Sequence, residues 1–172
     1  QGLLETLPSG ARVLNIACGP AEEVRRLLDA SPDRDIGFDL VDHDLNTLRY
    51  VRRTIPKRQA APVVGNAYRF MKGDFRVVCP RVGIEPLCDP RVDFKGGRRL
   101  VAPLKYRSRA LREGSFDLIY SMGLYDYIED DRLDGKGRRV GVRSLTGQLF
   151  RLLKPGGRLI VGNYLLPSDS TP

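Results

Sequence analysis

An α/β fold with a doubly wound, mostly parallel sheet is what this 172-residue sequence predicts, on three observations. Val13, Leu14 and Ile16 give an apolar run that opens into the small-residue turn Ala17-Cys-Gly-Pro20 and then a helix-like segment. Residues 35–42 form a second β-prone run, ending in the acid Asp42. Two further runs, residues 115–121 and 158–162, are separated by a segment of helical period. Apolar runs of this kind suit parallel strands covered on both faces, and their alternation with helices suits a parallel sheet.

Taken in order, residues 1–7 read as the end of a helix, and Pro8-Ser9-Gly10 turns the chain into the first strand. Residues 20–28 form a helix with Pro20 in the first turn and Glu22 and Glu23 ahead of Arg25 and Arg26, as the helix dipole prefers. After the second strand, residues 44–55 repeat that pattern, with Leu45, Leu48, Val51 and Arg52 on one face and Pro56 as the stop. Residues 61–65 are a third strand and 66–71 a short helix. The middle, residues 72–113, mixes β-prone pieces at 75–79 and 98–104 with Pro, Gly and Arg, and is expected to be an inserted β-rich hairpin or flap. The fourth strand, 115–121, leads into Gly123-Leu-Tyr-Asp-Tyr-Ile128 at its carboxyl end. A helix over 143–153, with Leu145, Leu149, Leu152 and Leu153 inward, is ended by Lys154-Pro-Gly-Gly157 before the fifth strand, 158–162. The whole, 1–172, reads as one domain.

Composition narrows the chemistry. No apolar run approaches the about 20 residues that span a bilayer, and no signal-peptide pattern opens the chain, so a cytoplasmic location is expected. Three cysteines without C-x-x-C spacing and a single histidine, His43, make a metal site unexpected. The formal net charge is +8, with basic residues crowded into 49–57, 91–112 and 136–143. That crowding fits a solvated surface or a funnel for an anionic substrate, and also a nucleic-acid partner. Basic and aromatic residues do not interleave as in RNA-binding modules, and no helix-turn-helix or zinc-finger spacing is present.

The turn at 17–20 precedes a helix N-terminus, whose free N–H groups and dipole favour a carboxylate or phosphate. Gly19 leaves room there for a ligand. Asp42 stands at about the interval that dinucleotide folds place between a glycine turn and a ribose-binding carboxylate. It is read either as a ligand for both ribose hydroxyls or as a cap for the helix beginning near Asp44. Cys18 fits the turn as a small packing residue, with a reactive thiolate as the alternative.

Together these pieces resemble class I S-adenosylmethionine-dependent methyltransferases over nearly all the chain except the middle insertion. The first motif of that family appears as Asn15, Ala17, Gly19 and Ala21, the second as Asp42 and the third as Gly65-Asn66-Ala67. The strand at 116–121 and Leu152-Leu-Lys-Pro-Gly-Gly-Arg-Leu159 complete the order. The resemblance implies a Rossmann-like sheet with S-adenosyl-L-methionine held by Asn15, Ala17, Cys18, Gly19, Pro20, Glu22, Asp42, His43, Asn66, Ala67, Ser121, Met122 and Gly123. More narrowly, residues 17–23, 123–127 and 161–164 are similar to bacterial methyltransferases that form hydroxy fatty acid methyl esters. Three departures stand out: Asn15 and Asn66 replace acids usual in the family, and the two antiparallel strands that normally complete the sheet at the C-terminus are missing from the sequence given. That last feature implies either further residues or pairing with another chain, as in a homodimer.

A sulfonium methyl group is already activated, so such a site must chiefly align the acceptor and exclude water. A carboxylate acceptor needs no base and a hydroxyl does. Tyr125 and Asp126 are the candidate catalytic residues, with Tyr127 beside them; the alternative is that the tyrosines pack over the methionine moiety and Asp126 caps a turn. Three functions are therefore carried forward: methyl transfer to oxygen of a small, anionic acceptor, methylation of a nucleic acid, and non-catalytic binding of a cofactor or partner.

Overall fold

The computed structural model describes residues 2–56, 59–79 and 107–162. Its elements are α1 (Gly2–Glu5), β1 (Ala11–Ile16), α2 (Glu22–Ala30), β2 (Ile36–Asp42), α3 (Leu45–Thr54), β3 (Ala60–Val64), α4 (Ala67–Met71) and β4 (Arg76–Cys79). They continue with β5 (Arg107–Ala110), β6 (Phe116–Met122), a 3-10 turn at Tyr125–Tyr127, β7 (Arg132–Leu133), β8 (Arg139–Val140), α5 (Val142–Leu152) and β9 (Leu153–Gly162). The expected α/β, doubly wound sheet is present, in the order β5-β4-β3-β2-β1-β6-β9. The five strands β3-β2-β1-β6-β9 are parallel. From β1 the chain steps outward through β2 to β3, then returns to the other side of β1 for β6 and β9. The direction of winding thus reverses between β1 and β6, and ligands of open α/β sheets bind in the crevice at such a point.

Each face of the sheet has its own apolar layer. On β1, Val13 joins Phe38, Leu40, Val24, Leu27, Leu48 and Val51 on the α2/α3 side. Leu14 and Ile16 join Phe116, Ile119, Leu145 and Leu149 on the α5 side. Full burial of such side chains contributes about 1.5–3 kcal/mol each, which is why both faces of β1 are apolar. The helical face expected of α5 is the buried one: Leu145, Leu149 and Leu152 have no exposed surface, and Leu153 is nearly covered.

The described ends of the 72–113 segment are β-strands paired antiparallel, as the hairpin alternative has it: β4 pairs with β5 from Arg76–Ala110 to Cys79–Arg107 and also with β3 at Val64–Val78, so the pair extends the main sheet. Burial drives this, because Phe75 and Val77 enter the α5-side core, with the Phe75 ring edge-on to Phe70 at 6.0 Å. The β-prone piece at 98–104 lies outside the described residues. Lys154-Pro-Gly-Gly157, expected as a turn before the fifth strand, lies inside β9. Leu153 is opposite Phe116 and Arg158 opposite Leu118, so the intervening residues loop out as a register shift. Gly156 has φ +78°, a conformation that L side chains rarely adopt, and Lys154 Nζ reaches Asp117 Oδ2 at 2.8 Å, pinning the bulge to β6. No helix of the described residues is long and apolar enough to cross a membrane.

Candidate functional site

The expected cofactor residues gather at the carboxyl ends of adjoining parallel strands. Asn15 is the penultimate residue of β1, and 17–20 follow the strand. Asp42 ends β2 with His43 after it, Asn66 and Ala67 follow β3, and Ser121 and Met122 end β6, with Gly123 next. The loop after β1 is sharply curled: Ala17, Gly19 and Ala21 have φ of +56°, +52° and +50°. Left-handed backbone at two alanines costs energy that the surrounding packing must supply, and such strain clusters at functional sites. The curl also delays the helix, so Ala21 is the N-cap, α2 begins at Glu22, and Pro20 stays outside it. A Cβ on Gly19 would meet no atom within 4 Å, so the glycine serves the backbone conformation and leaves open space above the turn.

Asp42 joins this turn to the next strand. Its Oδ2 accepts the Gly19 N–H at 3.0 Å and its Oδ1 the Asp44 N–H at 2.9 Å, while His43 Nδ1 lies 3.4 Å from Oδ1. The cap of α3 is Asp44, whose side chain accepts from the Asn46 and Thr47 N–H groups and which is held below the usual carboxylate range by the Thr47 hydroxyl and those N–H groups. A carboxylate offers about four lone-pair sites, so Asp42 retains acceptor capacity beside its two backbone donors.

Cys18 is buried in the turn, and its Sγ lies 3.4 Å from the Gly19 carbonyl. Burial first, and then the negative charges of Asp42 and Glu23, push its thiol up to about 12. The thiol stays protonated near neutral pH, which suits a packing role and disfavours a reactive thiolate. Ser121 is fully buried and donates its hydroxyl to the Ile16 carbonyl at 2.8 Å, tying the ends of β6 and β1. Asn66 caps α4, with Oδ1 accepting the Tyr68 N–H at 2.8 Å. Gly65 just before it passes so close to β2 that a Cβ would fall 2.5 Å from Val41 Cγ1.

The two acids at the start of α2 point to different neighbours. Glu22 bonds Arg25 and accepts the Tyr50 hydroxyl of α3 at 2.8 Å; Arg25 foremost, and then Tyr50, hold it below its ordinary pKa. Glu23 instead reaches the sheet, where its Oε1 accepts Asn15 Nδ2 at 3.0 Å and the Tyr120 hydroxyl at 2.7 Å. Glu23 and Tyr120 were not among the site residues expected from sequence. The only available signal was an uncharged Asn15 eight residues before an acid.

Tyr125 lies in the 3-10 turn after β6, is nearly buried, and has its hydroxyl 3.0 Å from Thr146 Oγ1 on α5. Burial raises its pKa. Asp126 is exposed, and Tyr127 is 84% exposed. A cleft of about 310 Å³ runs beside this turn, walled by Ala67, Tyr68 and Met71 on one side and Leu124, Tyr127 and Ile128 on the other. Among the described residues no group of three or more His, Cys, Asp or Glu is placed to hold a metal ion.

No protein-family model matches the chain, and no curated protein is detectably similar in sequence. Solved structures do match. An S-adenosylmethionine-dependent methyltransferase from Mesorhizobium loti aligns at 18% identity and TM-score 0.54, over 93% of this chain and 50% of its own. A Haloferax volcanii complex of the Trm112 methyltransferase activator with a putative methyltransferase aligns at 17% identity and TM-score 0.52, over 92% and 48%. The fold is that of class I methyltransferases. A similar S-adenosylmethionine-dependent enzyme from Aquifex aeolicus aligns at 12% identity and TM-score 0.56, over 99% and 67%. The chain spans about half the length of the first two, and at these identities the likeness is one of fold.

Proposed function

We propose that this chain binds S-adenosyl-L-methionine across the ends of β1, β2, β3 and β6 and directs its methyl group to an oxygen of a small anionic acceptor. The observation that carries the reading is Asp42: an acid at the end of β2, locked to the curled turn through Gly19 N–H and still able to accept from a vicinal diol. Asn66 and Ala67, following β3, are assigned to the purine side; with the Asn66 Oδ1 engaged by Tyr68, its NH2 group is the part left to face a base edge. When bound, the cofactor supplies a methyl group already activated by its sulfonium.

What the chain supplies is position. The cleft between α4 and the Leu124–Ile128 stretch borders the ends of β3 and β6, and its Met71, Leu124 and Ile128 walls suit an acceptor with an apolar body. Tyr125 is a poor base at neutral pH, because burial favours its neutral form and its hydroxyl is engaged with Thr146. An acceptor oxygen that is already ionised fits this site better than a hydroxyl. A carboxylate such as that of a hydroxy fatty acid, giving a methyl ester, meets both conditions.

The same Tyr125 geometry favours a second reading, in which the cofactor is bound without transfer. The discriminating experiment supplies S-adenosylmethionine labelled on its methyl group together with medium-chain carboxylic acids or the matching alcohols. Label appearing in base-labile esters of the acids supports the ester-forming reading. Binding without transfer to either class supports the second.

A further inference from the structure

We propose that Glu23 is the carboxylate that receives a cationic ammonium group of the ligand at the point where the sheet reverses its winding; the assignment rests on the S-adenosylmethionine reading above. Asn15 and Tyr120 are register partners on β1 and β6, the two strands that flank the reversal. Both donate to one oxygen of Glu23, so a charged group from α2 bridges the two strands that flank the crevice in which such folds take their ligands.

The charge at that point is unbalanced. Asn15 carries none, and burial above all keeps the Tyr120 phenol neutral by pushing its pKa up. Among the described residues Glu23 has no ion-pair partner and its Oε2 no hydrogen bond, whereas Glu22 next to it is paired with Arg25 and Tyr50. A half-buried carboxylate with one oxygen fixed by neutral donors and the other left open is suited to a cation brought by the ligand. The amino-acid end of S-adenosylmethionine carries a primary ammonium, and Glu23 stands beside the curled turn where that end would lie if Asp42 holds the ribose. The negative charge absent from position 15 is thereby supplied from the neighbouring helix.

The test compares two ligands in wild type and Glu23→Gln by calorimetry: S-adenosylmethionine and 5′-methylthioadenosine, which shares the nucleoside and lacks the amino acid. Glutamine keeps an acceptor for Asn15 and Tyr120 and removes only the charge. Glu23→Gln is expected to weaken S-adenosylmethionine by about tenfold or more and leave methylthioadenosine within about twofold. Equal weakening of both ligands, or no change in either, overturns the assignment. A second measurement needs no variant: on wild type, S-adenosylhomocysteine is expected to bind at least about tenfold more tightly than its N-acetylated form, which has lost the positive charge; equal affinities overturn the assignment. Wild-type protein that binds none of these nucleosides refutes the cofactor reading itself, a result distinct from selective insensitivity to the amine.

Discussion

The Gly19 N–H donates to Asp42 Oδ2 at 3.0 Å, so the turn that follows β1 and the acid that ends β2 form one unit. The bond joins residues 23 apart in sequence, one in the turn after β1 and the other at the end of β2. It fixes the curled backbone, and on the open side of Gly19 a Cβ would meet no atom within 4 Å.

Replacing Asp42 by alanine removes a charge-assisted acceptor from the turn and from the ribose it is assigned to hold. Affinity for S-adenosylmethionine should fall by about 1.5–3 kcal/mol, measured by calorimetric titration. Unchanged affinity would remove Asp42 from the site.

Asp44→Ala provides the contrast. It deletes the cap of α3 and should cost about 1 kcal/mol of stability in urea unfolding, with cofactor affinity changed little. A large loss of affinity with no loss of stability would exchange the roles given to Asp42 and Asp44.

At Gly19 the constraint is the backbone. Valine at φ +52° is strained although its Cβ meets no atom, and its branches would occupy the space above the turn. Gly19→Val should retain the far-ultraviolet circular dichroism of the wild type and lose cofactor binding. Normal binding by the folded variant would place the cofactor elsewhere.

Cys18 gives a pH signature. Its thiol rises from an ordinary value of 9.0 to about 12 on folding, so the native state holds a proton that the unfolded chain releases. The resulting stabilisation is complete below about pH 9 and is lost as pH rises towards 12. Wild type should therefore lose more stability than Cys18→Ala as pH rises from about 9 towards about 12, the window set by those two values. In native protein at pH 8, the Cys18 peptide should also resist iodoacetamide, as read by mass spectrometry; rapid labelling of folded protein would refute the packing role.

The strands were legible because burial on two faces leaves a plain record: Val13, Leu14, Ile16 and Phe116, Leu118, Ile119 are apolar on both sides, and all are buried. Helix α5 was legible through the spacing of Leu145, Leu149 and Leu152. The bulge at Lys154-Pro-Gly-Gly157 was not, since the composition that stops a helix is also the composition of a strand irregularity, and only pairing with Phe116 and Leu118 separates them. The strand-like ends of the 72–113 segment were visible, but their joining the main sheet depends on Phe75 and Val77 finding the α5-side core, a long-range event. At the candidate site, the place of Asp42 at the end of β2 was readable from its interval after the turn. The division of work between Glu22 and Glu23 was not, because the left-handed residues Ala17, Gly19 and Ala21 set the phase at which α2 begins.

The central claim is that the ends of β1, β2, β3 and β6 form a seat for S-adenosylmethionine, and a calorimetric titration of the wild-type chain with that compound tests it most directly. The account predicts saturable binding at one site per chain, weakened by Asp42→Ala. Absence of saturable heat at millimolar ligand, with the protein shown to be folded, would contradict it.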